Sequence, residues 1–301
     1  MRTPRRWLHA LALAVSAAAP LLSAPSEALA WHPPVHRSDA GVDLHLWSAR
    51  YWGTAVAAVP FVQFEPTPDL FINLKFPLAL SLNGPGDLED TRDQSRAGLG
   101  NPMFSIYYSD IDRKLTWYAG GRAGLPLGMV DDYDWRWSLA RGSEAMAYYD
   151  LHLWARDSLP FGGLGGIEYR FGRAFVLRAG GDLTFFLPMR DGGARVGIDG
   201  IDDSDDMDVV FQAKVEPELQ SRAGFGGGLS LRTVWVPSSI YDDRGQVSLM
   251  PYFVYDSQKS FFMRAGLLLA LDEPLGPAFD RGRFDRRSVA SLYLQFGGHI
   301  D

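Results

Sequence analysis

Lys214, Glu216 and Glu218 sit at alternate positions of the segment 209–219, and Val209, Phe211, Ala213, Val215, Pro217 and Leu219 fill the positions between. Period two places the two sets on opposite faces of one strand. The same alternation recurs along the chain. It collects a polar face of Lys75, Tyr118, Arg122, Asp150, His152, Arg156, Glu168, Arg170, Arg178, Asp182, Lys214, Glu216, Glu218, Arg232, Arg264 and Gln295. Lys75, Arg122, Asp150, His152, Arg178, Asp182, Lys214, Glu216, Arg232 and Arg264 are the candidate lining residues among them. Such a set does electrostatic chemistry. Mixed charges line a hydrated lumen and set a field across a constriction, or they pair with one another and fill a closed space, since charges in a dry interior need partners.

Other constellations are weaker. Asp150, His152, Ser109 and Ser158 supply the ingredients of a Ser-His-carboxylate hydrolase. They lack a nucleophile elbow and a persuasive spacing. Six Asp residues within 199–208 offer hard oxygen ligands for Ca²⁺, but without an ordered ligand loop a solvated external segment is the simpler reading. His32 and His36 flank two Pro residues and read as part of an extended segment. Gly224 to Gly228 opens a strand with no following helix, so it does not make a phosphate-binding loop. No pattern calls for a metal or cofactor.

Strands must position the polar face. Alternation predicts them over 56–64, 70–80, 103–108, 115–125, 145–156, 167–171, 175–187, 209–219, 225–237, 247–255, 261–271 and 290–299. That makes twelve, within a range of ten to fourteen. Val42, Leu44 and Leu46 add a possible short strand or a piece over one mouth. Pro60 and Pro77 remove ladder donors and predict local irregularities. One inconsistency stands out. Long loops and short turns should fall at opposite ends, and the segments between Asp131 and Arg190 break that parity. A strand between Trp135 and Gly166 is therefore missed, split or falsely assigned.

Two architectures share this rhythm: a soluble sandwich, with apolar faces meeting each other, and an antiparallel transmembrane outer-membrane β-barrel, with apolar faces in lipid. The lengths of 70–80, 209–219 and 261–271 suit tilted membrane strands. Tyr107, Tyr108, Trp117, Tyr118, Trp154 and Trp235 near strand ends suit interfacial girdles. Both features favour the all-β barrel. Residues 1–30 read as a signal peptide: Arg2, Arg5 and Arg6, an apolar run from Leu11 to Leu22, then Ala28-Leu29-Ala30. Residues 31–55 form an extended lead-in and 56–301 the barrel. The 301-residue chain has no Cys, which rules out disulfides and thiolate chemistry, and a formal charge of −7. That charge disfavours nucleic acid as a partner. Outer-membrane lipid, the assembly machinery of that membrane and a small-molecule solute are the expected partners.

Gly98-Leu99-Gly100-Asn101-Pro102 opens one strand, and Gly121-Arg122-Ala123-Gly124-Leu125-Pro126-Leu127-Gly128 closes the next. Together they resemble the Gly-Leu-Gly-Asp-Pro and Gly-x-x-x-Pro-Thr-Gly pattern of the outer-membrane transporter-like family named after phenol-degradation (MetA-pathway) proteins. Asn101 stands for the acid and Leu127 for the Thr of that pattern. The resemblance implies a barrel and passive uptake of small apolar or aromatic compounds. A sealed structural barrel, a barrel lipid hydrolase and a soluble binding sandwich are the alternatives.

Overall fold

The computed structural model describes residues 38–49, 53–82, 95–111, 114–127, 133–172, 174–189, 207–221, 223–237, 245–257, 260–271 and 290–300. The expected leader, His32, His36 and the acid-rich stretch as far as Asp206 lie outside them. The described residues form strands β1 (Asp39–Ala49), β2 (Gly53–Thr67), β3 (Leu70–Lys75), β4 (Leu78–Leu82), β5 (Arg96–Leu99), β6 (Met103–Ile111), β7 (Leu115–Gly124), β8 (Ser158–Phe171), β9 (Phe175–Pro188), β10 (Asp208–Gln220), β11 (Phe225–Trp235), β12 (Gly245–Asp256), β13 (Phe261–Ala270) and β14 (Ala290–His299), with one α-helix, α1 (Tyr133–Ala145). No helix of the described residues is long and apolar enough to cross a membrane.

All strand pairs are antiparallel, and β1 pairs with both β14 and β2, so the sheet closes on itself. Its wall has twelve staves. β3 and β4 form one stave, because both pair with β2 in one register and Phe76 N–H donates to the Pro60 carbonyl between them. β5 and β6 form another, interrupted at Gly100-Asn101-Pro102. Pro60 and Pro77 thus sit at the break, as missing donors require. At the closing seam the His299 imidazole lies between two carboxylates, with Nδ1 2.6 Å from Asp39 and Nε2 3.0 Å from Asp256. It joins β14 to β1 and β12.

Alternation sorts the side chains. On β10, Phe211, Val215 and Leu219 are exposed outside, whereas Gln212, Glu216 and Glu218 are buried inside. Leu78, Leu80, Phe104, Ile106, Leu183, Leu231, Phe253, Leu267, Leu292 and Phe296 continue the exposed apolar belt. In a closed cylinder every wall strand finds its hydrogen bonds, so the belt can face hydrocarbon. The connections 82–96, 124–158, 188–208, 235–245 and 270–290 all leave one end. The turns 67–70, 111–115, 171–175, 220–225 and 256–261 leave the other, where β1 starts and β14 ends, and of the short connections only 49–53 shares the long-loop end. That polarity is the outer-membrane one, with long loops outside and short turns at the periplasm. Around the short-turn end run aromatic pairs, Tyr108–Trp117 with centroids 5.6 Å apart and Tyr169–Phe171 at 4.6 Å.

Three sequence expectations are corrected. Residues 39–49 make a full wall stave, so the barrel begins at Asp39 rather than Val56. The strand expected over 167–171 begins at Ser158. Residues 145–156 are not a strand: α1 ends at Ala145 and a 3₁₀ turn spans Leu151–Leu153. Ala147, Tyr148, Asp150 and Asp157 have φ of +49°, +57°, +60° and +56°, a left-handed region that an extended strand never visits. Removing this segment from the wall restores the loop parity. The count of twelve survives because β1 replaces it. Of the expected girdle, Tyr107, Tyr118 and Trp154 instead point inward. Tyr107 stacks on Phe71 and donates to Gln63 Oε1 at 2.6 Å, and Trp154 Nε1 donates to Met146 Sδ at 3.2 Å.

Candidate functional site

The lumen holds two built parts, a plug and a charged cavity beneath it. The plug is the β7–β8 connection, folded back inside. Nearly every residue from Trp137 to Asp157 is buried, although the segment carries Arg141, Glu144, Asp150, His152, Arg156 and Asp157. Inside a barrel a helix is enclosed all round, so polar as well as apolar flanks need partners. Arg141 meets them by pairing with Glu144 and lying over the Trp137 ring at 4.2 Å and the Trp47 ring at 5.5 Å. Met146, Ala147, Leu153 and Trp154 pack with Trp47, Ala57, Met103, Met250, Leu268 and Tyr293 of the wall. Tyr148, Tyr149, Leu151 and Ala155 pack with Phe186, Val210 and Val234.

The glycine-proline motif is the clasp of this plug. Asn101, between β5 and β6, donates its side-chain amide to the carbonyls of His152 (3.2 Å) and Ala155 (2.6 Å), and its backbone N–H to Leu153 O at 2.7 Å. A side chain on Gly100 would collide with the Leu153 carbonyl, and one on Gly142 of α1 would press within 2.7 Å of the Trp154 ring. An amide at position 101 donates where an ionised acid cannot. Asn101→Ala leaves two buried carbonyls without a donor, worth about 1–3 kcal/mol each. Limited trypsin digestion is expected to cleave that variant at Arg136 or Arg141 while the parent stays intact there.

The wall holds the plug's charged turn. Lys75 Nζ on β3 meets Asp150 Oδ2 at 3.4 Å, and Gln212 Oε1 on β10 accepts the Asp150 N–H at 2.6 Å. Arg122 on β7 donates Nη1 to His152 Nε2 at 3.2 Å, while its Nη2 bonds Asp182 and Thr184 of β9. Since a guanidinium only donates, His152 Nε2 is an acceptor and its proton sits on Nδ1. No serine hydroxyl bonds His152 among the described residues, and the Ser109 hydroxyl donates instead to Trp117 O at 3.1 Å.

Burial, then the adjacent Arg122 and Lys75, hold the His152 imidazole well below its ordinary value, and Asp150 offsets this only in part. Burial pushes the Asp150 carboxyl up, but the positive charges of Lys75, Arg122 and Arg232 hold it low. The seated plug therefore keeps His152 neutral. Once released, the imidazole returns toward 6.5, so below that pH the released state binds more protons. Seating then weakens by up to about 1.4 kcal/mol per pH unit as pH falls. Asp150 acts in the same direction, but only near and below pH 3.8. Bilayer conductance is expected to rise between pH 6.5 and 5, and to rise much less in His152→Asn.

Below the plug lies a cavity of about 270 Å³. Lys75, Asp150, Arg178, Lys214, Glu216, Arg232 and Arg264 line it, together with Asp39, Asp43, His45, Glu168, Tyr149 and Tyr293. Arg122, His152 and Asp182 lie in the plug's clasp instead. Asp150 and His152 reach the lumen from the plug, not from a wall strand. Along one wall runs a chain of ion pairs. Glu168 meets Arg178 Nε at 2.8 Å, and Arg178 Nη1 meets Glu218 at 2.8 Å. Arg264 then reaches Glu218 and Glu216 at 3.4 Å each, and Glu216 faces Lys214 at 3.6 Å. Gly228 makes the crossing possible: a Cβ there would lie 2.6 Å from the Tyr252 hydroxyl, which donates to Glu218 at 2.8 Å. Glu168 and Glu218 belong to the sequence's polar face but not to its ten candidate lining residues. Gln212 and Tyr149 carry no charge pattern that marks them. No group of residues suited to a metal ion occurs among the described residues.

No family model matches the chain, and no curated protein matches it in sequence. Solved structures match in fold. The COG4313 outer membrane channel from Pseudomonas putida F1 superposes with a TM-score of 0.58 at 14% identity, over 92% of this chain and 99% of that one. The NanC porin superposes with a TM-score of 0.53 at 6% identity, over 87% and 99%. At these identities the likeness is one of fold: this chain has the twelve-stave architecture found in outer-membrane channels.

Proposed function

We propose that the chain is a bacterial outer-membrane channel for passive uptake of small solutes, exported by a leader over 1–30 and inserted by the outer-membrane assembly machinery. The observation that carries this reading is a charge-lined cavity inside a lipid-facing barrel, closed by a loop rather than by the wall. The ten candidate lining residues form the passage and its clasp. The fold shared with the COG4313 channel and the NanC porin supports the class, and no hydrolytic chemistry is assigned to His152. The family that the glycine-proline motifs resemble is linked to uptake of aromatic or other apolar compounds, and that resemblance favours an aromatic solute. Tyr149, Tyr293, Phe61 and Phe262 among the cavity's charges suit a solute with both an apolar body and a polar group better than a bare hydrocarbon.

The buried plug favours a second reading, a sealed barrel. Liposome swelling separates the two. Vesicles containing the refolded chain are expected to swell in small neutral and charged solutes faster than empty vesicles. Correct insertion with no swelling at pH 7 or pH 5 assigns the chain to the sealed class.

A further inference from the structure

We propose that the cavity contains a subsite for a small organic monocarboxylate, centred on Arg232. The proposal deepens the channel reading by naming a solute class. It begins from an imbalance among the cavity's ions. The carboxylates each have company: Asp150 pairs with Lys75, Glu216 pairs with Lys214 and Arg264, and Asp43 lies 3.4 Å from the Tyr293 hydroxyl. Arg232 makes no close ion pair: Asp43, Asp150 and Glu216 share its cavity at longer range, and its direct contacts are all neutral. Its Nε donates to Ser230 Oγ at 3.2 Å and its Nη2 points at Met250 Sδ at 3.8 Å. Its guanidinium lies over the Tyr149 ring at 5.0 Å and the Tyr293 ring at 5.9 Å. Among the described residues no carboxylate lies within 4 Å of it, and its hydrogen bonds run from Nε and Nη2.

A largely buried guanidinium lying over two aromatic rings keeps its charge, and Arg232 lines the cavity with donor capacity that its bonds to Ser230 and Met250 leave unused. The Tyr149 hydroxyl, also without a partner among the described residues, supplies a second donor beside it. Lys214 adds a second positive charge from the neighbouring strand β10, directly opposite Arg232 in register. Size and charge limit the ligand. The 270 Å³ space equals the share of about nine waters, which a solute of roughly ten non-hydrogen atoms fills. A dianion would also meet Asp43, Asp150 and Glu216 on the same cavity wall, so a single negative charge fits best.

Benzoate and its neutral isostere benzamide test this by isothermal titration into the detergent-solubilised full chain. Benzoate is expected to bind saturably, one per barrel, and at least about tenfold more tightly than benzamide. Arg232→Gln is expected to erase that preference, and Tyr149→Phe, which keeps the ring, to weaken benzoate several-fold. Equal binding of the two probes, absence of saturable benzoate binding, or an Arg232→Gln variant that retains the preference overturns the proposal. If Arg232→Gln does not fold, the parent's benzoate-to-benzamide ratio and Tyr149→Phe decide it, unchanged benzoate affinity in the latter counting against. Binding without liposome swelling would sink the channel reading and leave the subsite intact; swelling without a benzoate preference would do the reverse.

Discussion

Replacing residues 128–156 with a four-residue Gly-Ser linker is expected to raise single-channel conductance several-fold and leave the barrel folded. The wall does not need the segment. β7 and β8 are hydrogen-bonded neighbours, paired from Leu115–Tyr169 to Ala123–Phe161, and antiparallel neighbours close with a short loop. What disappears is the material that fills the upper lumen: α1, its aromatic contacts, and the Asp150–His152 turn gripped by Lys75, Arg122 and Asn101. A twelve-stave cylinder lies between eight-stave barrels, filled by their own side chains, and porins with open channels. Its conductance should therefore be set by what is folded into it. The measurement is planar-bilayer conductance beside heat-modifiable gel migration as the check on folding. Unchanged conductance in a folded variant would mean that the wall's own side chains close the passage.

The wall was legible in the sequence and the plug was not, for one physical reason. A barrel strand meets lipid on one side and the lumen on the other, so its residues alternate, as Phe211, Val215 and Leu219 do against Gln212, Glu216 and Glu218. A helix inside the lumen meets packed protein on every side. The run from Trp137 to Tyr149 therefore buries Arg141, Ser143 and Glu144 as deeply as Leu139 and Met146, and no amphipathic stripe marks it. Its trace was indirect, in helix formers from Leu139 to Ala147 and in a loop parity that failed between Trp135 and Gly166. The closing stave β1 shows a different limit. Val42, Leu44 and Leu46 alternate plainly, but their partner β14 lies some 250 residues away, with Leu44 opposite Leu294. Nothing local in a strand says that it closes a ring. Asn101 was visible as part of a motif, while its use as a clasp depended on the plug.

Glu218→Ala is expected to cost about 3–5 kcal/mol of folding stability, the largest loss from any single lumen substitution. The carboxylate's side chain is fully buried and serves four donors: Arg178 Nη1 at 2.8 Å, the Tyr252 hydroxyl at 2.8 Å, Gln220 at 2.7 Å and Arg264 Nη2 at 3.4 Å. Alanine leaves two guanidinium groups crowded with a reduced negative complement, and Glu168 and Glu216 alone to hold them. The large effect comes from the charges left behind rather than from the net worth of the pair. Glu218→Gln, which keeps the shape and an acceptor, should therefore lose less than alanine. Adding Arg178→Met to Glu218→Ala should recover part of the loss, since it removes one stranded charge. Urea titration of folding into lipid vesicles measures all three. Equal losses for alanine and glutamine, with no recovery in the double variant, would mean that packing dominates at this position. A total loss under about 1 kcal/mol, the range of solvated pairs, would place the ion-pair chain in water. The same variant carries a functional consequence. Two under-neutralised arginines beside the cavity should shift reversal potentials toward anions, in the direction that an arriving carboxylate at Arg232 would exploit.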